Sequence, residues 1–265
     1  MAVLTAGRRP ANATGEPLIR LRNLRKVYRK RGEEFLAVSD VTMDIFPGDM
    51  VSLVGPSGCG KTTLLKILSG LQGYDGGTLE VGGGDFNPGR DVGMVFQQPL
   101  LLKWRTILEN VLLPADILHM DRGQATARAH QLLDMVGLSG FDDKYPYELS
   151  GDMQQRAAIA RALIHAPKLV LMDEPFGALD ALTREKMNLE MLRIWAESGT
   201  TFVVVTHSIH EAVFLGSRCA VLTAGPARMA DFFPIDLEEP RKLHVKTTPE
   251  FGEYVRRIYE LLGVE

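Results

Sequence analysis

The stretch from Gly55 to Thr63, Gly-Pro-Ser-Gly-Cys-Gly-Lys-Thr-Thr, leaves this chain few folds to choose from. It satisfies the pattern G-x-x-x-x-G-K-[ST] at Gly55, Gly60, Lys61 and Thr62. An apolar run, Met50–Val54, leads into it, and a helix-prone run, Thr63–Leu68, leads away. At such a strand-to-helix turn, backbone N–H groups of Pro56's neighbours Gly55, Ser57, Gly58, Cys59 and Gly60 can wrap a polyphosphate. The helix dipole adds to the attraction. Glycine permits the close approach, Lys61 is expected to reach the β- and γ-phosphates, and Thr62 to hold a magnesium ion. A glycine-rich turn formed by chance has no reason to fall in register with both strand and helix. The chain is expected to bind a nucleoside triphosphate.

Composition narrows the class without naming it. Of 265 residues, 45% are hydrophobic and 24% charged, which suits a globular α/β protein. A net charge of −3 gives no reason to expect a nucleic-acid partner. Arg20, Arg22, Arg25, Lys26, Arg29, Lys30 and Arg31 cluster early, but they alternate with apolar residues and read as the solvated face of a strand pair. No apolar run reaches the ~18–20 residues that span a bilayer, so work at a membrane would be done through a partner. Residues 1–17 lack the apolar core of a secretion signal and read as a disordered arm, which leaves the sequon at Asn12 a chance match. Two cysteines, Cys59 and Cys219, suggest no disulfide framework.

Further along, residues 18–49 read as short β-strands, and Thr78–Val81 as another among glycine turns. Asp91–Phe96, Leu169–Met172 and Phe202–Val205 are apolar runs of buried-strand length. From Pro99 to about Ile164 the periodicity is helical. Apolar strands alternating with helices predict an α/β fold with a parallel sheet covered on both faces. The segment beyond Pro240 reads as a loop and one helix, Phe251–Leu262.

Asp173-Glu174 closes the second of the buried runs. An aspartate at a strand's carboxyl end beside a phosphate loop can hold magnesium, and the next glutamate can act as general base toward water. The alternative is an ordinary helix-capping pair, which the four preceding hydrophobes argue against. Leu149-Ser150-Gly151-Asp152-Met153-Gln154-Gln155-Arg156 then makes the pattern specific. The chain resembles the nucleotide-binding subunits of ABC transporters, whose signature is L-S-G-G-Q. Leu149, Ser150 and Gly151 match it, whereas Asp152 and Met153 depart.

That resemblance implies a P-loop NTPase fold with a parallel core sheet, an antiparallel β-subdomain and an α-helical subdomain at about 98–164, the ATPase domain running over 18–237 and a tail over 238–265. It also implies ATP and Mg²⁺ as cofactors. Tyr28 falls where an aromatic stacks on adenine, and Gln97 at the loop that senses the membrane partner and reaches the metal. Ser150 and Gly151 would grip the γ-phosphate bound by a second subunit. Asp180, after Gly177-Ala178-Leu179, would lie at the dimer interface, and His207 would be the γ-phosphate switch. The remaining histidines, His119, His130, His165, His210 and His244, read as structural.

Phe96–Thr106 and Thr206–Leu215 are similar to the importer ATPases for nitrate, sulfonate and taurine. This implies a second ATPase subunit, permease subunits, an external solute-binding protein and a place on the cytoplasmic face of the membrane. Leu100, Leu101 and Trp104 would line a groove for a permease helix, unless they pack inside the helical subdomain. An exporter ATPase shares every catalytic motif. A DNA-repair or translation ATPase would carry coiled-coil insertions or tandem domains, and a small-molecule kinase would lack Leu149–Gly151, Asp180 and His207.

Overall fold

The computed structural model describes residues 15–30, 33–82, 86–223 and 225–264. Most of the expected N-terminal arm and its sequon, with the turn at Arg31-Gly32 and the glycines Gly83 and Gly84, lie outside the described residues. The chain opens with β1 (Ile19–Lys30) and β2 (Glu33–Ile45), followed by β3 (Met50–Val54), α1 (Lys61–Leu68) and β4 (Gly76–Val81). β1 pairs antiparallel with both β2 and β4 in a three-stranded sheet. Where several short strands were expected, two long ones run with register shifts between Leu21 and Val27. Asn23 takes a left-handed φ of 50°, so a polar interruption that looks like a strand end is absorbed as a bulge. Two of the early arginines meet acids on the neighbouring strand: Arg22 forks onto Asp44 at 2.8 Å and Arg29 reaches Glu34 at 2.9 Å. Lys26 departs from the solvated pattern; it is buried and paired with Asp75 at 3.0 Å.

The chain continues through α2 (Pro88–Asp91), β5 (Val92–Val95), α3 (Ile107–Ile117), α4 (Arg122–Met135), α5 (Gly151–Leu163), β6 (Leu169–Asp173), α6 (Ala181–Ser198), β7 (Thr201–Thr206), α7 (Ile209–Leu215), β8 (Arg218–Leu222), β9 (Met229–Pro234) and α8 (Pro249–Leu262). The second sheet has the order β5-β6-β7-β3-β8-β9, parallel except for β9. Alternate residues of its central strands feed separate cores. Val51, Leu53, Leu171, Val203 and Val205 pack with α1 and the antiparallel sheet. Met50, Val54, Met172, Phe202 and Val204 pack with the helices on the other face. Such double burial is why these strands read as unbroken apolar runs.

Helix begins later than the periodicity suggested. Residues 99–106 are irregular, and α3 starts only at Ile107, behind a capping box of Thr106 and Glu109. The buried Asn110 side chain holds that loop from inside, accepting from Leu102 N at 2.7 Å and donating to the carbonyls of Leu102, Arg105 and Thr106. At the other end, a 3-10 turn at Leu243–Thr247 precedes α8, whose Phe251 and Ile258 are buried in the same core as the helical layer. Among the described residues no helix is long and apolar enough to cross a membrane.

Candidate active site

The ends of β3, β6 and β7 lie side by side, because β7 pairs with both of its neighbours: Val54 with Thr206, and Asp173 with Val205. Loops leaving adjacent parallel strands converge at the sheet's carboxyl edge, the usual place for a site in such folds. The turn after β3 is shaped by packing. A Cβ on Gly55 would sit 2.5 Å from Leu222 O, and one on Gly60 2.7 Å from Ala37 O. Gly58 and Gly60 also take left-handed φ values of 74° and 114°. Side chains are therefore excluded where the backbone must line a ligand.

α1 starts at Lys61 with no side chain capping its first amides. Those N–H groups, with the positive end of the dipole, suit a polyphosphate. The buried Lys61 ammonium donates to Gly55 O at 2.7 Å and Pro56 O at 2.9 Å, which anchors it within the loop and leaves a third N–H for a phosphate oxygen. Ser57 and Thr62 are exposed, while Cys59 is buried and serves packing. Tyr28 stands beside the same helix start, its hydroxyl 3.4 Å from Thr63 Oγ1 and its ring 5.7 Å from Lys26 Nζ.

Thr62 donates to Asp173 Oδ1 at 3.3 Å, which joins the two expected magnesium ligands. Burial, reinforced by the charge of Glu174, pushes the Asp173 carboxyl above its ordinary range; the Thr62 hydrogen bond, Lys61 and Lys66 oppose this. A cation at this pair relieves that cost. Among the described residues no group of three or more His, Cys, Asp or Glu side chains could hold a metal by itself. The donor set thus fits magnesium, which takes one or two protein oxygens and completes its shell with phosphate and water.

Glu174 adopts a left-handed φ of 47°, uncommon for a residue with a side chain. Its amide donates to Val205 O at 3.0 Å and its carbonyl accepts from Gly177 N at 3.1 Å. This conformation turns the carboxylate toward His207, whose Nδ1 lies 3.2 Å from Glu174 Oε2. Gly177 borders both Gln97 and Glu174: its missing Cβ would lie 3.3 Å from Gln97 Nε2 and 3.6 Å from Glu174 Oε2. Two of the other histidines pair elsewhere, His130 with Asp142 at 2.7 Å and His244 with Glu238 at 3.4 Å.

Ser150 and Gly151 sit apart, at the start of α5 in the helical layer. The Ser150 hydroxyl makes no cap to the helix; it donates to Asp152 Oδ1, while Asp152 Oδ2 accepts from Arg156 at 3.0 Å. Burial raises the Asp152 carboxyl, but these two bonds and the Arg156 charge outweigh it and leave its pKa lowered. Asp180 is the N-cap of α6, accepting from Leu182 N at 3.0 Å and Thr183 N at 3.1 Å.

Several contributors carry no motif of their own. Gln155 of α5 is buried and donates to Phe96 O at 3.1 Å, which ties the signature helix to the loop holding Gln97. Arg161 donates to Pro99 O and Leu100 O at 2.7 and 2.8 Å, bracing the same loop further on. Leu100 and Trp104 are left 54% and 74% exposed. Leu101 departs from the groove expectation, since it packs against the core.

A family model described as ABC transporter matches residues 38–177. An uncharacterised ABC transporter ATP-binding protein of Methanocaldococcus jannaschii is 43% identical over 93% of this chain and 92% of its own length. An aliphatic sulfonates import ATP-binding protein of Bacillus subtilis is 40% identical over 88% of this chain and 89% of its own. Among solved structures, a dimeric ATP-binding cassette in a post-hydrolysis state with ADP and Pi aligns with a TM-score of 0.70 and 34% identity, over 82% of this chain and 99% of that one. Phosphate loop, acidic strand end and family match converge: this chain belongs to the ABC transporter family, as an ATP-binding subunit that hydrolyses ATP.

Proposed function

We propose that this chain powers an importer of a small solute, a nitrate-, sulfonate- or taurine-like anion or a related small organic compound, from the cytoplasmic face of the membrane. Two ATPase subunits close on ATP, each completing the other's site with Ser150 and Gly151 across an interface that includes Asp180. Tyr28 stacks on the base and Lys61 holds the phosphates. Thr62 and Asp173, with Gln97, would hold a magnesium ion, which would supply charge neutralisation at the phosphates. Glu174 takes the proton of the attacking water. His207 steadies the Glu174 carboxylate through Nδ1, which leaves Nε2 for a hydrogen bond to the γ-phosphate.

The observation that carries the coupling half of this reading is the braced loop at 99–106. A loop held by Asn110 and Arg161 while showing Leu100 and Trp104 to solvent is built to present apolar surface, not to bury it. It follows directly on Gln97, so a permease helix seated there would sense the γ-phosphate site. The Bacillus relative named for sulfonate import supports the direction and class of transport. Trp104→Glu tests it in proteoliposomes holding the complete complex with its solute-binding protein. Uptake is expected to fall more than tenfold while hydrolysis by the isolated subunit stays within twofold. Equal loss of both would assign Trp104 to core packing, and outward transport would replace the importer with an exporter.

A further inference from the structure

α7 is a short helix of seven residues, too short to hold its own position, and it starts two residues after His207. Its near end is stitched to the site: Ser208 N donates to Thr206 Oγ1 at 3.0 Å, and Ser208 Oγ caps Glu211 N at 3.3 Å. Its far end is held from the C-terminal segment. The Arg241 side chain is 1% exposed. Its Nη1 donates to Val213 O at 3.2 Å, Phe214 O at 2.9 Å and Gly216 O at 2.8 Å. These carbonyls close the helix and would otherwise lack partners, and a cation there also complements the dipole. Nη2 reaches Ile235 O at 3.3 Å and Nε lies 2.9 Å from Glu239.

Two further contacts come from the same segment. Lys246 Nζ lies 4.5 Å from the Phe214 ring centre and bonds Glu185 of α6. The Phe251 ring lies 6.0 Å from the His210 ring, three residues from His207. The segment therefore grips α7 at its last carbonyls, at its face and near its first turn. Burying a guanidinium is costly, and a hydrophobic residue would fill the same space without that cost. What the arginine adds is direction: a planar fork aimed at carbonyls sets where the helix ends along its own axis.

We infer that residues 238–262 form a strap that positions α7, and through it the aim of His207 at Glu174, with Arg241 as the positioning residue. This rests on the role proposed for His207. A shift at one end of a rigid helix of ~10 Å is carried to the other, so loosening the strap slows hydrolysis without releasing nucleotide. The strap is thereby a point at which a contact from outside the cassette could set turnover.

The test compares Arg241→Met, Arg241→Lys and His207→Ala in the full chain, with ATPase rates normalised to the folded fraction. Arg241→Met should lower kcat at least tenfold and leave KM for ATP within twofold. Arg241→Lys, which keeps the charge but not the fork, should fall between. In a His207→Ala background, Arg241→Met should cause no further loss. An unchanged kcat in Arg241→Met, or an equal loss in the His207→Ala background, overturns the strap. Full activity in His207→Ala alone overturns the role of His207, and with it the route by which the strap acts. If Arg241→Met does not fold, Lys246→Met takes its place with the same expected direction and a smaller fold-change.

Discussion

Asp152 stands in the signature where the family carries a bare glycine, and its surroundings allow the effect of removing it to be worked out. The carboxylate occupies the Ser150 hydroxyl, the donor proposed for the partner's γ-phosphate. Freeing that hydroxyl means breaking a hydrogen bond to a charged group, about 1.5 kcal/mol at this exposed turn. If the phosphate sits at ~5 Å, repulsion at an effective dielectric of ~20 is about 3 kcal/mol per unit charge. Arg156, 3.0 Å behind the carboxylate, offsets much of that. With its charge at ~8 Å the attraction is about 2 kcal/mol, which leaves about 1 kcal/mol net. Together these oppose closure by about 2.5 kcal/mol, roughly seventy-fold in affinity.

Asp152→Gly should therefore tighten ATP-driven dimerisation by tens of fold, measured by sedimentation in a Glu174→Gln background. It should also raise steady-state hydrolysis most at low ATP. The same change removes an acid from the first turn of α5 and adds backbone freedom, so thermal stability should fall by about 1 kcal/mol. Opposite movements of closure and stability distinguish release of Ser150 from general tightening. Unchanged dimer affinity would refute the reasoning. Ser150→Ala, which should abolish closure, checks its premise separately.

Two other outcomes are expected. Glu174→Gln should retain ATP binding and lose hydrolysis by about 10²–10⁴-fold, the range of a general base; a wild-type rate in single-turnover assays assigns the base elsewhere. Glu211, buried in α7, has its pKa raised from 4.5 to about 7, chiefly by burial, against Thr206, Arg184, His207 and Lys246. A raised carboxyl favours folding below its unfolded pKa, and that contribution is lost as pH rises toward 7. Urea unfolding at pH 5.5 and pH 8 should show the wild type losing about 2 kcal/mol relative to Glu211→Gln. Parallel curves for the two proteins would show that Glu211 does not titrate in this window.

What could be read from the sequence follows from how local each cause is. The phosphate loop needs glycine for steric reasons within a few residues, and doubly buried strands announce themselves as apolar runs. β8 and β9 are not legible in the sequence, for different reasons. Cys219–Leu222 is an apolar run like the others but has no motif beside it, whereas β9 is an edge strand with mixed exposure that ends at Pro234. The irregular loop at 99–106 lies inside the stretch whose periodicity predicts helix, but that periodicity is carried by residues from Ile107 onward; Asn110, which holds the loop open, reveals its role only through contacts inside the fold. Arg241 is likewise a lone arginine in sequence. Three of its four carbonyl partners, those held by Nη1, lie twenty-five and more residues away.

The left-handed backbone at Glu174 bears on which side chains that position can accept. Main-chain bonds to Val205 and Gly177 fix the direction of its Cα–Cβ vector before any side-chain contact forms. The site therefore reads length as well as charge. Aspartate keeps the charge but is one bond, about 1.5 Å, too short. A pinned main chain cannot lean in to restore the His207 contact, whereas glutamine spans the same gap without a negative charge. Two isosteric or isoelectronic replacements at one position thus pull apart reach and basicity, which in most carboxylate sites vary together.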